Sequence, residues 1–232
     1  MTFLFIYLIE RRLCTYLGKY FCHSCHNNTA CVIPAKVLWK WDFKKYPVSN
    51  FARDILIGED SIRRDAVFDL RAVDQGSLYT KVAVLRRACE LREQLSHYRE
   101  YLKVCNDGGT VLGMIDSPLH LASEPHLYSL EELEGVKIGL FVPRLESLIA
   151  TCADHVTGCD RCSAKGYICE ICNSKEIIFP MQVETTTQCP KCRTVCHSKC
   201  WASKKTECPK CVRIERYRLK SVARNASAMS AK

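Results

Sequence analysis

The chain has 232 residues, enough for one large or two small domains, and 17 of them are cysteine. Basic side chains outnumber acidic ones 34 to 25, a formal net charge of +9 that invites acidic partners such as nucleic acid. No signal peptide is evident and most cysteines sit in CxxC spacing, which points to metal ligation by reduced thiols and away from a secreted disulfide framework.

The first ten residues, MTFLFIYLIE, are apolar but too few to span a bilayer, which takes about 20. They lack the basic start and small-residue cleavage site of a signal peptide, and fit a strand, an anchor or sequence outside the folded unit. Cys14 to His26 reads as a short β-hairpin or knuckle with β-prone Tyr16, Tyr20 and Phe21. It carries Cys22 and Cys25 in the run CHSCH. Pro34 to Leu38 reads as extended, leading to Trp39, Trp41 and Phe43 as core anchors at alternate positions. Pro47 suits the first turn of a helix, where its missing N–H costs nothing, and Val48, Phe51, Ala52 and Ile55 continue at helical spacing.

Residues 58–76 read as a connection. The longest regular element is expected over 77–105, where Val84, Ala88, Leu91, Leu95, Tyr98, Leu102 and Cys105 step by four and three along one seam. Ser77 would cap it and the Gly108-Gly109 pair would end it. Such a seam fits a helix packed within its own domain better than a coiled-coil dimer, which wants more heptads with matched charges. Residues 106–128 read as a loop. Ser129 and Glu132 form a capping-box signature for a short helix closed by Gly135, and a further helix from Pro143 passes Leu145, Leu148, Ile149 and Cys152.

From Cys159 to Cys211 the chain holds five two-ligand pairs, each with two residues between its members: Cys159/Cys162, Cys169/Cys172, Cys189/Cys192, His197/Cys200 and Cys208/Cys211. Two side chains of one tight turn reach the same ion, and tetrahedral zinc takes four such ligands. From Cys169 the pairs are separated by sixteen, four and seven residues. Pairs as close as Cys192 and His197 serve different ions, which gives a cross-brace. Cys169, Cys172, His197 and Cys200 take one zinc, and Cys189, Cys192, Cys208 and Cys211 take the second. Cys159 and Cys162 then need two more ligands, and the nearest spare pair is Cys22/Cys25, which would make a third site. His155 competes, with thirteen residues between it and Cys169, and would displace Cys211 from the second site. Cys89 and Cys105 read as small apolar residues, and Cys196 as a core residue that could compete with its neighbour His197. Eleven thiolates and three Zn²⁺ would take five positive charges away and leave about +4, concentrated in the tail.

No P-loop, GxGxxG or HExxH is present, and saturated zinc sites offer no open catalytic position. Cys169-Glu170-Ile171-Cys172 looks like the start of a RING ubiquitin ligase, but Ser203 stands where that spacing wants a cysteine. Nucleic-acid binding through the basic tail and ubiquitin ligation are the two alternatives to an interaction domain.

Three stretches together resemble the Rubicon-homology domain: YLGKYFCHSCH at 16–26, VLWKWDFKKYPVSNFARDIL at 37–56 and CDRCSAKGYICEICNSKEIIFP at 159–180, with CPKCVRIERYR at 208–218 closing the match. The family also includes pleckstrin-homology-containing lysosomal adaptors. The resemblance implies an α-rich α+β fold in which a helical segment lies between an N-terminal zinc knuckle and a C-terminal cross-braced multi-zinc module. It covers a domain at 11–220 with its zinc array at 155–211, after an atypical start at 1–10, and the charge of the last residues makes 221–232 a basic tail expected to be disordered. It implies a non-enzymatic adaptor that binds zinc and the activated form of a late-endosomal Rab GTPase. Other autophagy or tethering proteins and peripheral contact with late-endosomal, lysosomal or autophagosomal membranes come with it. Relatives of this kind carry a further CxxC ahead of the knuckle matching Cys22/Cys25. Here MTFLFIYLIE stands in its place, so the pairing of Cys22/Cys25 with Cys159/Cys162 stays open, with Cys14 and His26 as substitutes.

Overall fold

The structure is a computed structural model that describes residues 11–57, 67–74, 77–203 and 208–229. The apolar start, Gly58 and Gly76 lie outside these residues. The chain forms two compact units, one from residues 1–91 and 124–145, the other from 92–123 and 146–232. Helices dominate, and the strands are short and joined two by two, the α-rich α+β class expected.

In the first unit, strands β1 (Arg12–Cys14) and β2 (Lys19–Phe21) form the expected hairpin, with Leu13 opposite Tyr20. Strand β3 (Ala30–Val32) pairs with β4 (Lys45–Pro47), so Pro47 ends a strand and opens no helix. The helix-starting proline is Pro34, at the N-terminal position of α1 (Pro34–Lys40), the stretch read as extended. That helix turns Val37 and Leu38 inward and leaves Trp39 57 % exposed, so alternation does not make Trp39 a core anchor. Trp41 closes α1 with a positive φ of 55° and meets Phe43 edge to face at 5.0 Å.

Helix α2 (Asn50–Ile57) buries Ala52 against Cys14, Cys31 and Val48 and leaves Phe51 exposed. Strand β5 (Val67–Asp69) pairs with β6 (Leu127–Ser129). Helices α3 (Leu70–Asp74) and α4 (Ser77–Lys81) follow β5 in sequence. The Ser129 hydroxyl accepts from the Glu132 N–H at 3.1 Å while the Glu132 carboxylate accepts from the Ser129 N–H at 2.9 Å. This is the capping box read from sequence, and it opens a helix that runs to Lys137, past Gly135.

The long helix is interrupted at Val82. The main segment, α5 (Ala83–Leu102), buries Leu85, Ala88, Leu91, Leu95, Tyr98 and Leu102. Leu85 replaces Val84 on the seam, which is 47 % exposed. In the second unit the expected loop contains two helices, α6 (Gly109–Ile115) and α7 (His120–Ser123). Arg92, fully buried, holds α7: its Nε donates to the Leu121 carbonyl at 2.9 Å and its Nη2 to the His120 carbonyl at 2.8 Å. Arg99 pairs with Asp116 after α6.

Helix α8 is the capping-box helix (Leu130–Lys137), and α9 (Phe141–Gly158) delivers the chain to α10 (Asp160–Ser163) and the cysteine-rich region. There β7 (Tyr167–Ile168) pairs with β8 (Ile177–Ile178), and β9 (Thr186–Gln188) pairs with β10 (Val195–His197). A Cβ at Gly166 would lie 2.0 Å from the Ile177 side chain, so this approach needs glycine. Helix α11 (Ser198–Ser203) follows, and α12 (Pro209–Met229) ends the described chain as one continuous helix, where a disordered tail was expected from residue 221.

A buried guanidinium replaced by a methyl leaves two carbonyls without their charged donor. Arg92→Ala is expected to cost on the order of 3 kcal/mol, seen as a lower urea midpoint at unchanged metal content.

Candidate metal centres

The turns at Cys169/Cys172 and Cys189/Cys192 are built the same way. The chain folds back so that the N–H of Asn173 donates to the Cys169 carbonyl and that of Arg193 to the Cys189 carbonyl, both at 2.8 Å. Asn173 and Arg193 follow the second cysteine of their pairs and adopt positive φ, 53° and 55°. That strain is stored where the turn must tighten to aim two thiols at one point.

The turn also prepares the thiolate. Burial opposes ionisation of Cys169, yet the N–H groups of Cys172, His197 and Ile171 outweigh it and bring the thiol down to about 6. Cys189 is likewise brought to about 7 against burial by the amides of Cys192 and Lys191. Cys159 is lowered first by the amide of Cys162. The later cysteines behave oppositely. Burial and then neighbouring thiols push Cys162 and Cys211 up to about 12 and Cys200 to about 11. Several thiolates cannot share so small a space without a cation among them.

Three four-residue sets result, each with its ligand atoms within 4.8 Å of one another. In the first, Cys172 Sγ lies 3.4 Å and Cys200 Sγ 3.8 Å from His197 Nδ1, with Cys169 completing it. In the second, Cys189 and Cys211 lie 3.6 Å apart, as do Cys192 and Cys208. These are the two interleaved quartets that the spacing predicts. A tetrahedron of thiolates around an ion at about 2.3 Å has edges of about 3.8 Å, whereas a disulfide would draw two sulfurs to about 2.05 Å. The sets fit a tetrahedral ion, and none of their cysteines is in a disulfide.

The third set corrects the sequence reading. Cys159 and Cys162 are completed by Cys105 and His155, not by Cys22 and Cys25. Cys105 Sγ lies 3.5 Å from His155 Nε2 and 3.7 Å from Cys159 Sγ, and Cys162 Sγ lies 3.6 Å from the same nitrogen. His155 therefore leaves Cys211 in place, and Cys105 is a ligand candidate and not a small apolar filler. The signal was available: His155 and Cys159 are one helical turn apart, and Cys105 is the last residue of the helical seam.

Cys22 and Cys25 form a tight turn of their own, the Cys25 N–H donating to the Cys22 carbonyl at 3.1 Å. Among the described residues no third ligand joins them. Cys14 is buried against Val48 and Ala52. His26 is buried, its Nε2 3.2 Å from the Leu13 carbonyl and its Nδ1 accepting from the Asn28 N–H at 3.1 Å. Neither substitute is therefore turned to the pair. Cys196 packs with Cys169, Ile178 and Val195, and burial raises its thiol to about 12. Cys152, raised to about 12 by burial alone, is likewise a core residue.

Outer partners hold the first two sets. Glu176 Oε2 lies 4.0 Å from His197 Nε2, the ring nitrogen facing away from the ligands. Arg213 forms two 3.0 Å hydrogen bonds to Glu170, inside the Cys169–Cys172 turn.

Two interleaved quartets with a third beside them define a cross-braced, multi-site cysteine–histidine module. The chain belongs to the Rubicon Homology Domain family, whose model matches residues 12–216. It is 44 % identical over 219 residues to human "Protein associated with UVRAG as autophagy enhancer", covering 93 % of this chain and 32 % of that protein. To the mouse "Run domain Beclin-1-interacting and cysteine-rich domain-containing protein" it is 40 % identical over 211 residues, 90 % of this chain and 21 % of that protein. To human "Pleckstrin homology domain-containing family M member 3" it is 35 % identical over 208 residues, 89 % and 27 % respectively. The chain thus spans a third or less of the length of these relatives.

Elemental analysis of the purified chain is expected to give three metal ions from these sets. Cys105→Ser should lose one and keep the other two, because the cross-braced quartets do not share its ligands. A chain that keeps three ions after Cys105→Ser would remove Cys105 from the third set.

Proposed function

We propose that this domain is a non-enzymatic, zinc-binding adaptor that docks on the activated form of a late-endosomal Rab GTPase and serves autophagy or endolysosomal traffic. The observation that carries the proposal is membership of the Rubicon Homology Domain family over residues 12–216. The relatives' names speak of autophagy enhancement and of Beclin-1 interaction, which fits partners of that class and a peripheral place on late-endosomal, lysosomal or autophagosomal membranes. No described helix is long and apolar enough to cross a membrane.

Zinc suits the sets because it accepts thiolate and imidazole together without geometric preference from its d electrons. Four protein ligands per set leave a bound ion no open position, which supports a structural and not a catalytic metal. Rab GTPases differ between states mainly in switch loops that the γ-phosphate orders. An effector therefore needs a rigid surface complementary to the ordered loops. A 100-fold preference needs only about 2.7 kcal/mol of differential binding, within reach of a few apolar contacts.

Calorimetry against GTP- and GDP-loaded late-endosomal Rab tests this. Tight binding to the GTP form alone is expected, and His197→Ala should abolish it by collapsing the first set. Equal affinity for both nucleotide states, or full binding by the metal-stripped His197→Ala chain, would remove the Rab assignment.

A further inference from the structure

Helix α12 is anchored firmly at its root and bare beyond it. Cys208 immediately precedes it and Cys211 lies in its first turn, both in the second four-ligand set. Arg213 ties that turn to Glu170. From Val212 to Val222 every residue is exposed, including Val212, Ile214, Tyr217, Leu219 and Val222, the last two at 62 % and 60 %. Large aliphatic side chains in water cost free energy, and a run of them on a held helix marks a surface built to be covered.

The arrangement says what covers it. At about 100° per residue, Val212, Leu219 and Val222 share an arc of about 80°. Arg216 and Lys220 border that arc on one side and Arg218 on the other. The stripe continues into a groove of about 520 Å³ whose walls include Trp201, Pro190 and Lys191. Within Val212–Val222 four side chains are basic and one, Glu215, is acidic, lying within the stripe 3.9 Å from Arg218. An apolar stripe edged by long cationic side chains is the pattern of a helix lying in a lipid headgroup layer: the aliphatic groups enter the acyl boundary while arginine and lysine reach back to phosphates. A neutral protein groove would satisfy the aliphatic residues and leave the cations without counter-charge.

We propose that α12, through Val212, Leu219 and Val222 with Arg216, Arg218 and Lys220, is a docking surface for anionic phospholipid bilayers. The reading rests on the proposed place of the domain at a membrane, but its test contains no GTPase, so it and the Rab assignment can fail separately.

The metal-loaded chain is floated with vesicles of phosphatidylcholine alone or with added phosphatidylserine. Binding is expected only with phosphatidylserine, and it should weaken as salt rises. Arg216→Ala with Lys220→Ala should weaken it on the order of 25-fold, at about fivefold for each cation near an anionic surface. Leu219→Ala with Val222→Ala should weaken it about tenfold or more from lost apolar burial, with helicity kept because alanine favours the helix. Equal flotation with neutral vesicles, no flotation with either, or unchanged binding by the Leu219/Val222 pair of alanines would overturn the proposal. So would self-association in the ultracentrifuge that those alanines abolish while vesicles leave the protein behind, since the occupant would then be a second copy of the helix.

Discussion

Crowded thiols are the constraint on which the cysteine-rich half depends. Ten cysteines and two histidines fall into three sets whose donor atoms lie within 4.8 Å of one another. Turn amides stabilise the thiolates of Cys169 and Cys189, while Cys162, Cys200 and Cys211 are pushed toward the neutral form by burial and by neighbouring thiols. A bound cation would let all four donors of a set ionise together. The same region has little else to hold it. Its strands are two or three residues long, and two-stranded sheets are at best marginal in water. The core around Cys169, Ile178, Val195 and Cys196 is small. Metal binding energy is folding energy in such a unit.

The two interleaved quartets were legible because they are local. All eight ligands fall within Cys169–Cys211, and the four-residue gap from Cys192 to His197 forces alternation. The third set was not legible by the same rule. Cys105 is fifty residues from His155, and on a helical seam a cysteine is indistinguishable from a small apolar residue. Pairing the leftover Cys159/Cys162 with Cys22/Cys25 satisfied a count of ligands, but packing decides which residues meet. The turn after α5, which carries Cys105, and the helix carrying His155 supply the missing pair.

Helical elements divide along similar lines. The Ser129–Glu132 box fixed a helix start because both halves of the signal act on the same backbone turn. The two prolines misled because each is compatible with a helix's first turn and with a strand's end. Pro34 took the first role and Pro47 the second, decided by the pairing of β3 with β4. Leu85 and not Val84 lies on the buried face because it steps by three to Ala88 and by seven to Arg92, and Leu78, seven residues earlier, keeps the same face across Val82.

The same metal logic reaches α12. A stretch as exposed as Val212–Val222 relies largely on helix propensity, and nucleation is its costly step. Cys208 and Cys211 have their thiols in a four-ligand set at the helix's first turn, and Arg213 adds a bidentate link one turn on. A bound ion would fix the backbone where helix formation is hardest and leave only the easier extension to the rest. An apolar, cationic helix can then stand in water without a hydrophobic partner of its own. Its exposed stripe is therefore a consequence of where its stability is supplied: at the root, so that the remainder of its surface is left for contact.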